Sequence, residues 1–92
     1  MFSLTGVVER NKGISWRIIE DRAVLVDESD NRVLQLDEVG TEIWKCTENG
    51  VKIQDIVNHI CQIFDVEEKR ATKDTIKFLK QLTRREFIKV VQ

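Results

Sequence analysis

Residues 31–45, NRVLQLDEVGTEIWK, change period part-way along. In Arg32–Leu36 the polar Arg32 and Gln35 are set among Val33, Leu34 and Leu36, which suits a short strand with one face on a core. From residue 38 the period lengthens. Val39, Ile43 and Trp44 stand at i, i+4 and i+5, on one side of a helix. Asp37 lies at the change. Its side-chain oxygen can accept from a free N–H of the first turn, and its charge suits the positive helix end. Strand, cap and helix form a rigid corner, and the outer edge of that strand is where another segment can pair.

Working outward, the chain before this corner reads as two more strands. Ile14–Ile19, ISWRII, is rich in β-branched and aromatic residues, with Ile14, Trp16 and Ile18 able to share a face. Glu20–Asp21–Arg22 is a polar hairpin turn. Ala23–Asp27, AVLVD, is a compact apolar run, and residues 28–31 make a second polar turn. Three strands (about 14–19, 23–27 and 32–36) with short connections predict an antiparallel meander, since parallel pairing needs a crossover helix. Residues 1–6 read as a loosely held arm. Val7 and Val8 can enter a strand, but Asn11 and Gly13 signal a turn soon after.

After the corner the pattern is helical. Helix one is expected over about 38–47, stopped by Asn49–Gly50. Helix two, about 53–64, places Ile53, Ile56, Val57, Ile60, Cys61 and Phe64 on one stripe. Helix three, about 67–85, places Ala71, Thr75, Phe78 and Leu82 inward, with Leu79 bordering them. Phe87–Val91 is a final strand or a covering segment. Strands first and helices after imply an α+β domain, a three-stranded antiparallel sheet followed by a three-helix bundle.

Composition narrows the function classes. Ninety-two residues make one domain with a modest core, too small for a deep enzyme cleft. Charged residues are 34% of the chain, yet the net charge is −1, so no global field favours nucleic acid or an anionic membrane. There is no proline, and there is no apolar run of signal or membrane-spanning length. A cytoplasmic site is expected. Cys46 and Cys61 read as small core hydrophobes, and no metal set or cofactor is implied. Trp44 and Trp16 read as core residues and His59 as a surface one. G-x-S-x-G, H-E-x-x-H, P-loop and dinucleotide fingerprints are missing, so no enzyme is expected.

The order of these features is more specific than any one of them. The apolar AVLVD strand, the polar turn, an apolar strand ending in Leu36, then Asp37-Glu38-Val39-Gly40 and Ile43-Trp44 resemble the PqqD-like family. Asn49-Gly50, Asp55-Ile56-Val57, and Asp74 with Phe78-Leu79 and Leu82 also fit, so the resemblance covers about residues 7–90. The family commonly has asparagine where Asp37 stands, often threonine at Lys52 and often glycine near Glu86. The resemblance implies a winged-helix-like peptide chaperone with no catalytic role. It implies capture of the leader of a ribosomally made precursor as an added strand, in the groove between the third strand and the third helix. The implied partners are that leader peptide and a modifying enzyme, of radical-SAM, cyclase-type or peptidase kind.

Residue chemistry supports that role on its own terms. An unpaired edge at strand three is a pairing template, guarded only by Arg32 and Gln35. A peptide added there gains main-chain bonds for register and side-chain pockets for specificity. The strand-side candidates are Arg32, Val33, Leu34, Gln35 and Leu36. On helix three, Thr72, Ile76, Leu79, Lys80 and Thr83 share a flank, and Ile76 lies ~120° from the middle of the core stripe at ~100° per residue. Arg70, Lys73, Lys77, Lys80, Arg84 and Arg85 make that helix basic and suited to acidic leaders. The structural alternative is an edge already covered by the N-terminal arm or the C-terminal tail. The functional alternative is a winged-helix DNA-binding domain with helix three as reader, against which the net charge speaks. An open edge at strand three can also pair with a second copy to give a homodimer.

Overall fold

The computed structural model describes residues 3–91. Its elements are β1 (Val7–Arg10), β2 (Ile14–Ile19), β3 (Arg22–Asp27), β4 (Arg32–Gln35), α1 (Glu38–Cys46), β5 (Val51–Lys52), α2 (Ile53–Phe64), α3 (Glu68–Arg84) and β6 (Ile88–Val91). This is the expected α+β class, with the meander β2-β3-β4 and three helices. It also holds a second antiparallel sheet, ordered β5-β1-β6.

The meander is closed by local chemistry. Glu20 and Asp21, between β2 and β3, both take left-handed backbone (φ 52° and 66°), the conformation a two-residue hairpin turn needs. Between β3 and β4, Asp27 Oδ1 accepts from the Ser29 N–H at 3.1 Å and the Ser29 hydroxyl at 2.7 Å. Asp27 Oδ2 accepts from Arg32 Nη2 at 2.7 Å. The bonds from Arg32 and then Ser29 hold the Asp27 carboxyl below its ordinary range, with burial opposing them. Ala23 and Leu25 turn inward and are fully buried. The Ala23 N–H donates to Thr41 Oγ1 of α1 at 2.9 Å, which fixes helix to sheet.

The second sheet gathers segments distant in sequence. Val8 pairs with Val51 on one side and Val90 on the other, and it is fully buried. Sequence left Val7 and Val8 undecided because the partners that make them a strand lie more than forty residues away. Of the segment 87–91, Ile88–Val91 resolves as a strand, and Phe87, just before it, and Ile88 lie in the core. Glu86, just before it, takes φ 64°, at the place where the resemblance expects glycine.

The N-terminal segment is also tied down. Lys52 makes no side-chain cap for α2. The Ile53 and Gln54 N–H groups donate instead to the carbonyls of Gly6 (2.9 Å) and Leu4 (3.0 Å). Main-chain oxygens thus replace the missing threonine cap, and residues 4 and 6, assigned to a loose arm by sequence, serve as that cap. Met1 and Phe2, the first two residues of that arm, lie outside the described residues.

Arg10 joins the two halves. Its Nη2 donates to the Trp44 carbonyl at 2.7 Å and its Nε to Thr47 Oγ1 at 2.9 Å, at the C-terminal end of α1, where a cation suits the helix dipole. The guanidinium lies 4.3 Å from the Trp44 ring centroid and 5.0 Å from that of Trp16, and the two indoles meet edge to face. Trp44 is fully buried as expected, whereas Trp16, expected in the core, is 37% exposed at the rim of the sheet. His59 lies on the surface side of α2, with Nε2 3.3 Å from Glu42 Oε1.

Leu79, not Phe78, joins Ala71, Thr75 and Leu82 in the core face of α3. Phe78 is half-buried, and its ring lies over Gly40 of α1. Among the described residues no helix is long and apolar enough to cross a membrane.

Candidate functional site

Within its sheet, β4 pairs on one side only, with β3. Among the described residues neither the N-terminal segment nor the C-terminal tail covers its other side, because both are committed to the second sheet.

The register decides which backbone groups face outward. Cα partners are Val24 with Gln35, Leu25 with Leu34, Val26 with Val33 and Asp27 with Arg32. The Leu36 N–H donates to the Ala23 carbonyl at 2.8 Å, which continues the same pairing. In an antiparallel ladder, bonded and non-bonded pairs alternate. Residues 32, 34 and 36 therefore bond toward β3, while the N–H and C=O groups of Val33 and Gln35 point to the open side. Side chains alternate as well. Arg32, Leu34 and Leu36 lie on the helix side, and Val33, 65% exposed, and Gln35 lie on the outer face.

Beside this edge runs a groove of two adjoining hollows. One, of about 240 Å³, lies between Leu34–Asp37 and the Phe78, Gln81, Leu82 and Arg85 side of α3. The other, of about 260 Å³, continues from Asp37 and Phe78 along Val39, Gly40 and Ile43 of α1, with Asp74 and Lys77 opposite. Asp37, Phe78 and Gln81 belong to both.

Two local devices hold the groove. Asp37 Oδ1 accepts from the Gly40 N–H at 2.7 Å, the expected N-cap bond of α1. Gly40 then permits the close approach of α3. A Cβ built there would stand 2.9 Å from Phe78 Cε1 and 3.0 Å from Cζ. The glycine of Asp37-Glu38-Val39-Gly40 thus sets the width of the groove, and the Phe78 ring lines it.

The charges along the walls differ in how they are used. Asp37 is held in its cap, and Asp74 lies 3.6 Å from Arg70 Nε. Lys77 and Arg85 carry no ion pair among the described residues. Beyond Lys77, the outer face of α3 presents Lys73, Ile76, Lys77, Lys80 and Arg84 around a shallow hollow.

Of the strand residues named from sequence, Arg32 is engaged with Asp27, Leu34 lines the groove, Val33 and Gln35 offer the open backbone, and Leu36 is buried beneath it. On the helix, Leu79 is fully buried. Thr72, Ile76 and Thr83 lie on the flank beyond the core stripe, away from β4, and the Thr83 hydroxyl donates to the Leu79 carbonyl at 2.9 Å. Lys80 stands with Ile76 on the outer face. The groove side is instead Asp74, Lys77, Phe78, Gln81 and Arg85, spaced at i, i+3, i+4, i+7 and i+11. That spacing is visible in the sequence as a second stripe beside Ala71, Thr75, Leu79 and Leu82. The choice between stripes turned on Phe78 and Leu79, which are both apolar and ~100° apart.

The sequence profile described as Coenzyme PQQ synthesis protein D (PqqD) matches residues 22–88. The chain belongs to the PqqD family. The PqqD match runs from the start of β3 to the start of β6, so it contains both walls of the groove and leaves out β1 and β2. No curated protein sequence matches the chain. Among solved structures it is similar to "TbiB1 in Complex with the TbiA(beta) Leader Peptide", with 27% identity and a TM-score of 0.83. The likeness covers 88% of this chain and 94% of that one.

Proposed function

We propose that this PqqD-family chain is a non-catalytic recognition domain for the leader of a ribosomally made precursor peptide. The leader adds as a strand beside β4, lies against α3, and is presented to a modifying enzyme. The observation that carries this reading is the unpaired edge itself. The N–H and C=O groups of Val33 and Gln35 face a groove whose far wall is Phe78, Gln81 and Arg85. The similarity to TbiB1, solved with a leader peptide, and the PqqD family match support the same class.

The chemistry of the groove selects the leader. Main-chain bonds at 33 and 35 tolerate any sequence and fix its direction and register. The hollow over Gly40, lined by Val39, Ile43 and Phe78, accepts an apolar side chain. Lys77 and Arg85 favour acidic side chains, with an attraction that weakens with salt. The partner enzyme is of radical-SAM, cyclase-type or peptidase kind, and the complex acts in the cytoplasm, where the precursor is made. No observation favours the DNA-binding alternative.

Titration with the leader encoded beside this chain tests the reading. Amide shifts and slowed exchange are expected at Val33 and Gln35, with shifts at Phe78, Gln81 and Arg85. Binding with changes confined to α2 and the second sheet would remove the proposed groove.

A further inference from the structure

The meander has a second open edge, and its chemistry is different. β2 pairs with β3 alone, in the register Ile14–Asp27 through Ile19–Arg22. The Glu28 N–H donates to the Gly13 carbonyl at 3.3 Å and continues that pairing. By the alternation used for β4, odd-numbered residues of β2 bond toward β3, and Ile14, Trp16 and Ile18 point their N–H and C=O groups outward. The edge is six residues long, without proline or bulge among its paired positions, and it carries Trp16, Ile18 and Ile19 at 37%, 42% and 46% exposure. Such an edge is a pairing template. Beside its C-terminal end a hollow of about 560 Å³ lies between Ile18, Glu20, Asp21 and Arg22 and the Glu38, Glu42 and Lys45 side of α1, and its lining is charged apart from Ile18.

We propose that the outer edge of β2 is a self-association surface, at which two copies pair antiparallel about a two-fold axis at Trp16. Outward residues must meet outward residues, so only alternate registers are allowed. Centring on Trp16 sets Ile14 against Ile18 of the second copy, Ser15 against Arg17, and Gly13 against Ile19. It also brings Lys12, in the turn before β2, beside Glu20 of the second copy, in the turn after it. Every apolar residue meets an apolar residue or glycine, and the end charges are complementary twice over. Shifting by one allowed step toward the C-terminus puts Arg17 directly opposite Arg17, a like-charge pair. Shifting the other way sets Lys12 against Ile18. A strand that is its own best complement fits a second copy of this chain.

The pairing unites two meanders into one six-stranded sheet and leaves both β4 edges free at its ends, so self-association and peptide capture do not compete. This differs from a homodimer through β4, which would occupy the groove edge. Two six-residue strands bury less than the ~1,200 Å² of a stable interface, so the dimer is weak.

The test is sedimentation of the full chain from ~10 µM to ~1 mM, the range where such small interfaces fill. The mean mass is expected to rise from one chain toward two. Lys12→Glu and Glu20→Lys, each alone, make both end pairs repulsive and weaken association roughly two- to thirty-fold. Mixed with each other, the two variants regain complementary ends, and association returns. Neither residue lines the groove, so leader binding is unchanged in both. A chain that stays at one mass to ~1 mM overturns the proposal. So does association that ignores both substitutions and disappears with Val33→Pro, because the contact then lies at β4. Leader titration of the same samples reads the proposed function separately.

Discussion

The two sheets of this domain are built in opposite ways. β2-β3-β4 comes from one continuous stretch, is held by tight turns and one buried face, and keeps both edges unpaired among the described residues. β5-β1-β6 is stitched from three distant segments, and its central Val8 is sealed on every side. The difference is one of task. A sheet that closes locally can leave its edges free for outside strands. β1 and β6 are secured to each other elsewhere, in a clasp with β5.

The largest effect is expected in the sheet β5-β1-β6. Val8→Asp puts a carboxylate into the apolar core and is expected to cost roughly 4 kcal/mol or more, a large share of the stability of a domain this size. Urea denaturation should find the variant largely unfolded at 25 °C. A stable variant would mean that the second sheet is dispensable.

Neighbouring prolines sharpen the contrast at the open edge. Leu34→Pro removes an N–H bonded to β3 and is expected to lose ~3 kcal/mol. Val33→Pro removes an N–H that faces outward, so stability should change by less than ~1 kcal/mol. Leader affinity should still fall about tenfold or more, since a buried carbonyl of the peptide loses its donor. Equal destabilisation by the two would refute the register-based assignment of the free groups.

Gly40→Ala probes the groove itself. Alanine gains ~1 kcal/mol of helix propensity, while its methyl pushes the Phe78 ring outward. The ring is half-exposed and can move, so stability is expected to stay within ~1 kcal/mol of the parent. Leader affinity should drop roughly three- to tenfold, a loss of ~0.7–1.4 kcal/mol, as the ring enters the hollow. Unchanged affinity in calorimetry would separate that hollow from the binding site.

The smallest effect is a pH dependence at the turn that ends β3. Arg32 and Ser29 bind the Asp27 carboxylate and lower its folded pKa, so the ionised form is favoured on folding. The stabilisation is complete above ~pH 4 and disappears as pH falls through the lowered folded value. Asp27→Asn should therefore be less stable than the parent at pH 7. The difference in urea midpoint should narrow as pH falls below ~4, and a gap independent of pH would rule out this pair as its source.

Much of the meander and the helical layer was legible in the residues, because each signal is local. Asp37 caps α1 as its position requires, β2 begins and ends where its apolar run does, and the α2 stripe is buried at Ile53, Ile56, Val57 and Ile60. The second sheet was not legible, since Val7–Arg10 and the two-residue β5 become strands only through partners far along the chain. The helical wall of the groove was displaced for a related reason. Phe78 and Leu79 are equally apolar, and only the Gly40 surface beneath the ring decides that Phe78 leaves the core while Leu79 fills it.

The residues by themselves determined a capped strand-to-helix corner, a meander and three amphipathic helices, because periodicity, turn chemistry and capping act within a few positions. Tertiary structure alone decided which stripe of α3 faces β4, that β1 and β6 clasp each other, and that both edges of the meander remain open among the described residues. Those outcomes depend on which distant surfaces meet, and burial is settled only when they do.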